Sequence, residues 1–304
     1  MDQKPDYHIP VLLFEVLEHL EINPDGVYVD ATLGGGGHTR GILEKLGPKG
    51  KLICFDQDKD AWGNAPKDDR LTLIKQNFRH LKRYLKFFGF EQVDGILADL
   101  GVSSHQFDEA SRGFSFRFDA PLDMRMNTEA PEDAQSFLNL AEEKELIYCF
   151  KTYGEIRQAH LLARKILASR EEKTISTTRE LVAIVEQAYG KRKTDAGLLA
   201  QVFQAIRIRV NDEMKALEEF LVDIPSVLKE EGKAVIISYH SLEDRLVKNL
   251  FKSGNLEGNQ EKDFYGNLLR PLKPISNKPI VPSTEEIQKN SRASSAKMRV
   301  AIKG

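Results

Sequence analysis

The sequence is short of cysteine and of long apolar runs, and each absence excludes something. Only Cys54 and Cys149 occur among 304 residues, so neither a disulfide framework nor a zinc cluster is expected, and a reducing, cytoplasmic location is. No apolar run approaches the roughly 20 residues of a membrane helix. The opening "MDQKPDYHIP" lacks the apolar core of a signal peptide. Internal repeats and low-complexity tracts are also missing, which removes solenoids and arrays. What remains is 41% hydrophobic and 30% charged, the balance of a globular protein and not of a disordered one. At this length two domains, or one domain with a large insertion, are expected.

Excess charge of either sign is nearly absent too, the net being −2. Its distribution is uneven: Lys262 to Gly304 holds nine Lys or Arg against three Asp or Glu. That leaves a basic segment on an otherwise acidic chain, an asymmetry suited to a polyanion partner and equally to a solvated tail.

Glycine is not scarce where "VYVDATLGGGGHTRG" places four in a row, Gly34 to Gly37. Glycine loses more conformational freedom on folding than any other residue, so such a run needs a reason. The run lies between a β-rich segment and a helical one, "TRGILEKLG", stopped by Gly47-Pro48. "KLICFD" is a second strand ending in Asp56, "LTLIKQ" a third, and "VDGILADLG" a fourth that also ends in an acid and a glycine. Strands alternating with helices at this spacing predict a doubly wound parallel sheet. "LLFEVLEHL" precedes it as an amphipathic helix with Leu13, Val16, Leu17 and Leu20 on one face.

From about Phe107 to Val210 strand character is lost. "TTRELVAIVEQAYG" is the clearest helix there, with Thr177 and Glu180 as a capping box and Leu181, Ile184, Val185 and Ala188 as its apolar face. Strands return with "GKAVIIS" (Gly232 to Ser238) and "MRVAI" (Met298 to Ile302). The predicted organisation is a sheet domain over 1–106 and 211–304, interrupted by a mostly helical insertion over 107–210.

A glycine loop between strand and helix, with an acid ending the next strand, suits a ribose-containing cofactor. Glycines let the backbone approach the ligand, and Asp56 accepts hydrogen bonds from ribose hydroxyls. NAD and S-adenosylmethionine both satisfy this much. The dinucleotide spacing fits imperfectly, because His38 stands where a third glycine belongs. "ADLGVSSHQ" adds Asp99 at the fourth strand's carboxyl end, where ligands of parallel sheets collect. Methyl transfer to an exocyclic base amine needs an acceptor for the amine protons, since that nitrogen's lone pair is delocalised into the ring. A carboxylate there favours the pyramidal, nucleophilic form in the transition state.

The stretches "HIPVLLFEVLEHL", "VYVDATLGGGGHT", "VDGILADLGVSSHQFDEASRGFSFRFDAPLDMRMN", "KTYGE", "VFQAIRIRVN", "ISYHSLEDRLVK" and "NSRASSAKMR" together resemble the MraW/RsmH family of bacterial 16S rRNA (cytosine-N4)-methyltransferases. The resemblance covers nearly the whole chain. It implies a class I S-adenosylmethionine-dependent methyltransferase fold, a Rossmann-like doubly wound sheet, carrying an inserted RNA-recognition domain. It further implies methyl transfer to N4 of a cytidine in the decoding region, with 16S rRNA or the small ribosomal subunit as partner and no membrane. Whether the chain works as a homodimer stays open.

By the same resemblance the cofactor contacts fall on Gly36, Gly37, His38, Asp56, Phe78, Asp99 and Gln106. Asp99 and His240 are the catalytic candidates, and no metal is implied. Related amino-methyltransferases carry an aromatic residue where this chain has Val102, so the ring that stacks on the base must come from elsewhere. Phe114 and Phe116, with Phe118, alternate with Arg112 and Arg117 and suit an extruded base; the same alternation suits a short strand burying one face. Asp123 and Arg125 of "PLDMRM" are further substrate candidates, and Ser241 with Asp244 is the expected cap of the helix after "SYH". Lys191, Arg192, Lys193, Arg157, Arg164, Lys165, Arg292 and Lys297 are candidate phosphate contacts. An NAD-dependent dehydrogenase and a non-catalytic ribosome-assembly RNA binder are the rival functions.

Overall fold

A computed structural model describes residues 10–304; His8 and Ile9 of the first resemblance stretch lie outside them. The chain divides into two compact units, one running through Gly101 and resuming at Met214–Gly304, the other Val102–Glu213. The division falls after Gly101 and not after residue 106. Ser103 and Gln106 form a capping box that opens a short helix, Ser104–Asp108, and Val102 and Phe107 pack in the second unit's core.

The first unit is built on seven strands: β1 (Val27–Asp30), β2 (Lys51–Phe55), β3 (Leu71–Ile74), β4 (Val93–Asp99), β5 (Leu228–Ser238), β6 (Leu272–Pro274) and β7 (Lys297–Lys303). Their order is β3-β2-β1-β4-β5-β7-β6. The first five pair in parallel, whereas β7 runs antiparallel to both β5 and β6. The sheet is therefore mixed and not wholly parallel. β6 is too short to leave a sequence signal, and β5 begins four residues before Gly232, across a register shift opposite Val93 and Gly95.

Alternate strand residues go to opposite faces. Val29, Ile53, Phe55, Ile96, Ala98, Ala234 and Ile236 share one core. It is closed by α3 (Leu81–Phe87), α9 (Glu213–Val227) and α10 (Ser241–Ser253), which contribute Leu81, Phe220 and Leu250 among others. Tyr28, Leu52, Cys54, Leu97, Val235 and Ile237 face the other core, closed by α1 (Leu13–Leu20) and α2 (Gly37–Lys45). Both faces are covered, which is why these strands read as nearly continuous apolar runs.

The second unit is helical: α4 (Ala134–Leu140), α5 (Glu143–Tyr148), α6 (Ala159–Glu172), α7 (Thr178–Tyr189) and α8 (Ala196–Val210), with shorter turns between them. Phe137, Leu146, Phe150, Leu162, Ile166, Leu181, Val185, Phe203 and Ile206 fill its core. The capping box of α7 forms as read: Glu180 N donates to Thr177 Oγ1 at 3.3 Å and Thr177 N to the Glu180 carboxylate at 3.1 Å. The stretch around Phe114, Phe116 and Phe118 is a turn-rich loop and not a strand. Among the described residues no helix is long and apolar enough to cross a membrane.

Candidate active site

β1 lies between β2 and β4, so the sheet order reverses beside it. Ligands of such sheets bind outside the carboxyl ends of the strands at that reversal. Three carboxylates sit there: Asp30 ends β1, Asp56 follows β2 and Asp99 ends β4.

The glycine loop is pinned open by its neighbours. Gly34 and Gly36 have φ of 47° and 72°, a region that side chains with Cβ disfavour. Gly34 N donates to Asp56 Oδ2 at 2.9 Å, Asn64 Nδ2 to Gly34 O at 2.8 Å, and Arg40 Nη2 to Gly35 O at 2.6 Å. A Cβ on Gly36 would meet Asn64 O at 2.7 Å, and one on Gly37 would run into the Pro10 ring. A Cβ on Gly35 would meet nothing within 4 Å. Gly36 and Gly37 thus answer to backbone conformation and packing, and Gly35 borders open space. The loop ends at the N-terminus of α2, whose first amides have no partner within the helix. A backbone of this kind beside open space, with the carboxylate of Asp56 across from it, fits the ribose and amino-acid parts of S-adenosylmethionine.

Asp56 is half-buried, and desolvation pushes its carboxyl up to about 6. Asp30 is fully buried and is raised to about 6 by the same cause, against hydrogen bonds from Thr39 Oγ1 at 2.6 Å and Thr32 N at 3.1 Å. Asp99 is 23% exposed. Desolvation raises it to about 7, Tyr239 opposes this, and Glu243 adds to it. Tyr239 Oη donates to Asp99 Oδ1 at 2.8 Å, while Asp99 N donates to Thr32 Oγ1 at 2.7 Å. The His38 ring is buried, with Nε2 3.0 Å from Val11 O and Nδ1 3.8 Å from Asp99 Oδ2.

The structure brings Gly36, Gly37, His38, Asp56 and Asp99 to one sheet edge. Phe78 opens the turn after β3 and packs edge-on against Phe220, ring centres 5.0 Å apart, leaving it half-buried. Gln106 lies in the second unit, where its Oε1 accepts from Ser103 N at 2.9 Å. Tyr239 faces Asp99, and the ring of His240, the next residue, is the N-cap of α10. Nδ1 accepts from Glu243 N at 3.4 Å and Nε2 stands 3.1 Å from Glu243 Oε1. The cap read for Ser241 and Asp244 is therefore taken by His240 and Glu243. Asp244 instead forms a two-pronged pair with Arg299, at 2.6 and 3.2 Å.

In the second unit Phe114 is buried in the core and Phe116 packs edge-on against Phe203 at 5.6 Å. Phe118 is the exposed ring of the three. Asp123 and Arg125 pair with each other at 2.8 Å, and Arg125 also donates to Ala130 O. Sequence reasoning passed over Asp30 and Thr39. The acid before the glycine loop was the available signal, since both other acids were read from the same position at a strand end. It also passed over an open cavity of about 660 Å³ in the second unit, lined in part by Glu132, Tyr148, Tyr153 and Arg209.

The model of the MraW methylase family matches residues 6–304. The chain is 50% identical to the ribosomal RNA small subunit methyltransferase H of Parabacteroides distasonis over the full length of both. It is 52% identical to that of Christiangramia forsetii and 53% to that of Flavobacterium johnsoniae, each over 98% of both chains. The glycine loop, the three strand-end acids and this whole-length similarity agree, and the chain belongs to the MraW methylase family.

Proposed function

We propose that this protein methylates ribosomal RNA of the small subunit, and that the acceptor is the exocyclic N4 of a cytidine in the decoding region of 16S rRNA. S-adenosylmethionine is the methyl donor, held by the glycine loop and Asp56. The observation that carries the reading is the placement of Asp99. Its carboxylate stands at the end of β4, beside the reversal of strand order, with Oδ1 fixed by the Tyr239 hydroxyl. A base amine is poorly nucleophilic until its protons are held by an acceptor in the plane of its N–H bonds, and Asp99 supplies that acceptor. The relatives named as small-subunit rRNA methyltransferases support the RNA substrate. The family excludes the dehydrogenase reading of the glycine loop, and the intact carboxylate cluster argues against a non-catalytic RNA binder.

The second unit is proposed to recognise the RNA. Lys191, Arg192 and Lys193 form an exposed turn on it, suited to phosphate contacts that position without reading sequence. An unpaired cytidine is splayed out more cheaply than a stacked one.

Methyl-labelled S-adenosylmethionine, incubated with the protein and small ribosomal subunits from a strain lacking the activity, tests the proposal. Labelled nucleosides are mapped by mass spectrometry. Label on N4 of one decoding-region cytidine, lost in Asp99→Ala, is the expected result. Label on a different base, or none while cofactor still binds, overturns the acceptor assignment.

A further inference from the structure

The ring of His38 has a fixed tautomer. Val11 O, 3.0 Å from Nε2, is a carbonyl and only accepts, so Nε2 carries the hydrogen. Burial lowers the histidine's affinity for a second proton, in spite of the nearby Asp30 carboxyl. Nδ1 therefore presents a bare lone pair, and it faces Asp99 Oδ2 at 3.8 Å. On the other side of the same carboxyl, Oδ1 is held by Tyr239 Oη, whose proton burial and Asp99 keep in place far above the ordinary phenol range. The two oxygens of Asp99 are thus unequal. One has a permanent donor, and the other looks at a second acceptor, so a proton taken up by Oδ2 has Nδ1 as its next neighbour.

We propose that His38 is the second proton acceptor of this site, taking through Nδ1 the proton that Asp99 Oδ2 removes from the substrate amine. The inference rests on the reading of Asp99 given above. In the transfer the amine nitrogen forms a bond to the methyl carbon as the carbon–sulfur bond breaks, its electron pair staying on sulfur. The methylated nitrogen then loses one proton to Oδ2. That proton passes to Nδ1, giving an imidazolium whose Nε2–H still points at Val11 O, and Asp99 regains its charge. The 3.8 Å separation must shorten for the second step, as apo hydrogen bonds at such sites commonly do. The groups around the pair are Asp30 and Thr39 on the β1–α2 side, Thr32 in the loop, Tyr239 and Glu243 at the start of α10, and Glu286. Of these, the Asp30 and Glu286 carboxyls offset part of the burial that disfavours a positive charge on the ring, so that charge is transient.

The test combines a spectroscopic and a kinetic reading. Nitrogen-15 spectra of the histidine-labelled full-length protein, assigned with His38→Gln, report the tautomer without substrate. The expected spectrum near pH 8 shows Nε2 protonated and Nδ1 bare; a protonated Nδ1 overturns the inference. Single-turnover methylation of small ribosomal subunits is then measured from pH 6 to 9. His38→Gln keeps an amide donor for Val11 O and removes the basic nitrogen. It should slow the methyl step about tenfold or more, within the range of general-base effects, with the loss varying with pH. A rate within twofold of wild type at every pH, while Asp99→Asn is inactive, overturns the role of His38 alone. A wild-type rate in Asp99→Asn overturns the reading of Asp99 and this inference together.

Discussion

Tyr239 and Asp99 stand 140 residues apart in the chain and 2.8 Å apart in the structure, hydroxyl to Oδ1. The parallel pairing of β4 with β5 makes this contact, because it brings Asp99 level with Ile237, two residues before Tyr239. The hydrogen bond stabilises the charged carboxylate against the burial that raises it to about 7. An acceptor must be ionised to work, so activity should rise with pH through that value. Tyr239→Phe removes the opposing contribution and moves the acidic limb of the rate profile upward by about one to two pH units, a hydrogen bond to a charged group being worth about 1.5–3 kcal/mol. Single-turnover rates over pH 6–9 measure it. An unmoved limb would mean that the tyrosine does not set the charge on Asp99.

Much of this site was legible in the sequence because its pieces are local. A glycine run between strand and helix, and an acid at each strand's end, are read from spacing alone. What escaped reading depends on pairing across the fold. Asp244 looks like a helix cap beside Ser241, and only the antiparallel docking of β7 on β5 presents Arg299 to it. His240 reads as a catalytic candidate, and its capping of α10, with Glu243 closing the box, was not read beside that role. The rings of Phe114 and Phe116 look like a stacking platform until the helical core of the second unit claims them. Side-chain type announces what a residue is able to do; neighbours distant in sequence decide which of those things it does.

The glycine loop separates two kinds of requirement. Gly36 carries φ 72° and abuts Asn64 O, whereas Gly35 has room for a Cβ. Gly36→Ala should cost roughly 1–2 kcal/mol of stability from the left-handed backbone, and more from the contact. Gly35→Ala should leave stability within about 0.5 kcal/mol, as an unstrained surface change does, while weakening cofactor binding because its methyl enters the space the ligand uses. Thermal melts and calorimetric titration with S-adenosylmethionine distinguish the two. Equal affinity in Gly35→Ala and wild type would place the ligand elsewhere.

The raised carboxyls also mark stability. Asp99 is lifted to about 7, and Asp30 and Asp56 to about 6, from 3.8. The folded state therefore binds more protons than the unfolded chain between about pH 4 and 7, and stability falls as pH rises through that window. His38, whose affinity is lowered, works the other way only below its ordinary value of 6.5. Between pH 8 and 6.5 the carboxyls act alone among these four groups, and Asp99 contributes just under about 1 kcal/mol there. In the free protein the melting temperature should rise by about 2 °C on acidification over this range. Asp99→Asn, which cannot titrate, should flatten the rise; an equally steep rise in the variant would assign it to other groups.

The pair between Asp244 and Arg299 ties α10 to β7, and both side chains are largely buried, at 14% and 9% exposure. The guanidinium meets both carboxylate oxygens, the geometry in which arginine pairs are strongest. Lys297, 3.9 Å from the same carboxylate, adds a second positive neighbour. Removing the acid leaves the largely buried Arg299 guanidinium without its partner, so Asp244→Ala should cost about 3–5 kcal/mol. Replacing both partners with apolar residues of similar size, Asp244→Leu with Arg299→Met, should recover most of that loss, because burying an ion pair gains little over burying hydrocarbon. Denaturant unfolding of the two variants decides it. If the double variant is as unstable as Asp244→Ala, the pair holds α10 in place by its geometry and not merely by avoiding an unpaired charge. The start of α10, which carries Tyr239 beside it, would then depend on an ion pair to β7, the strand next to β5.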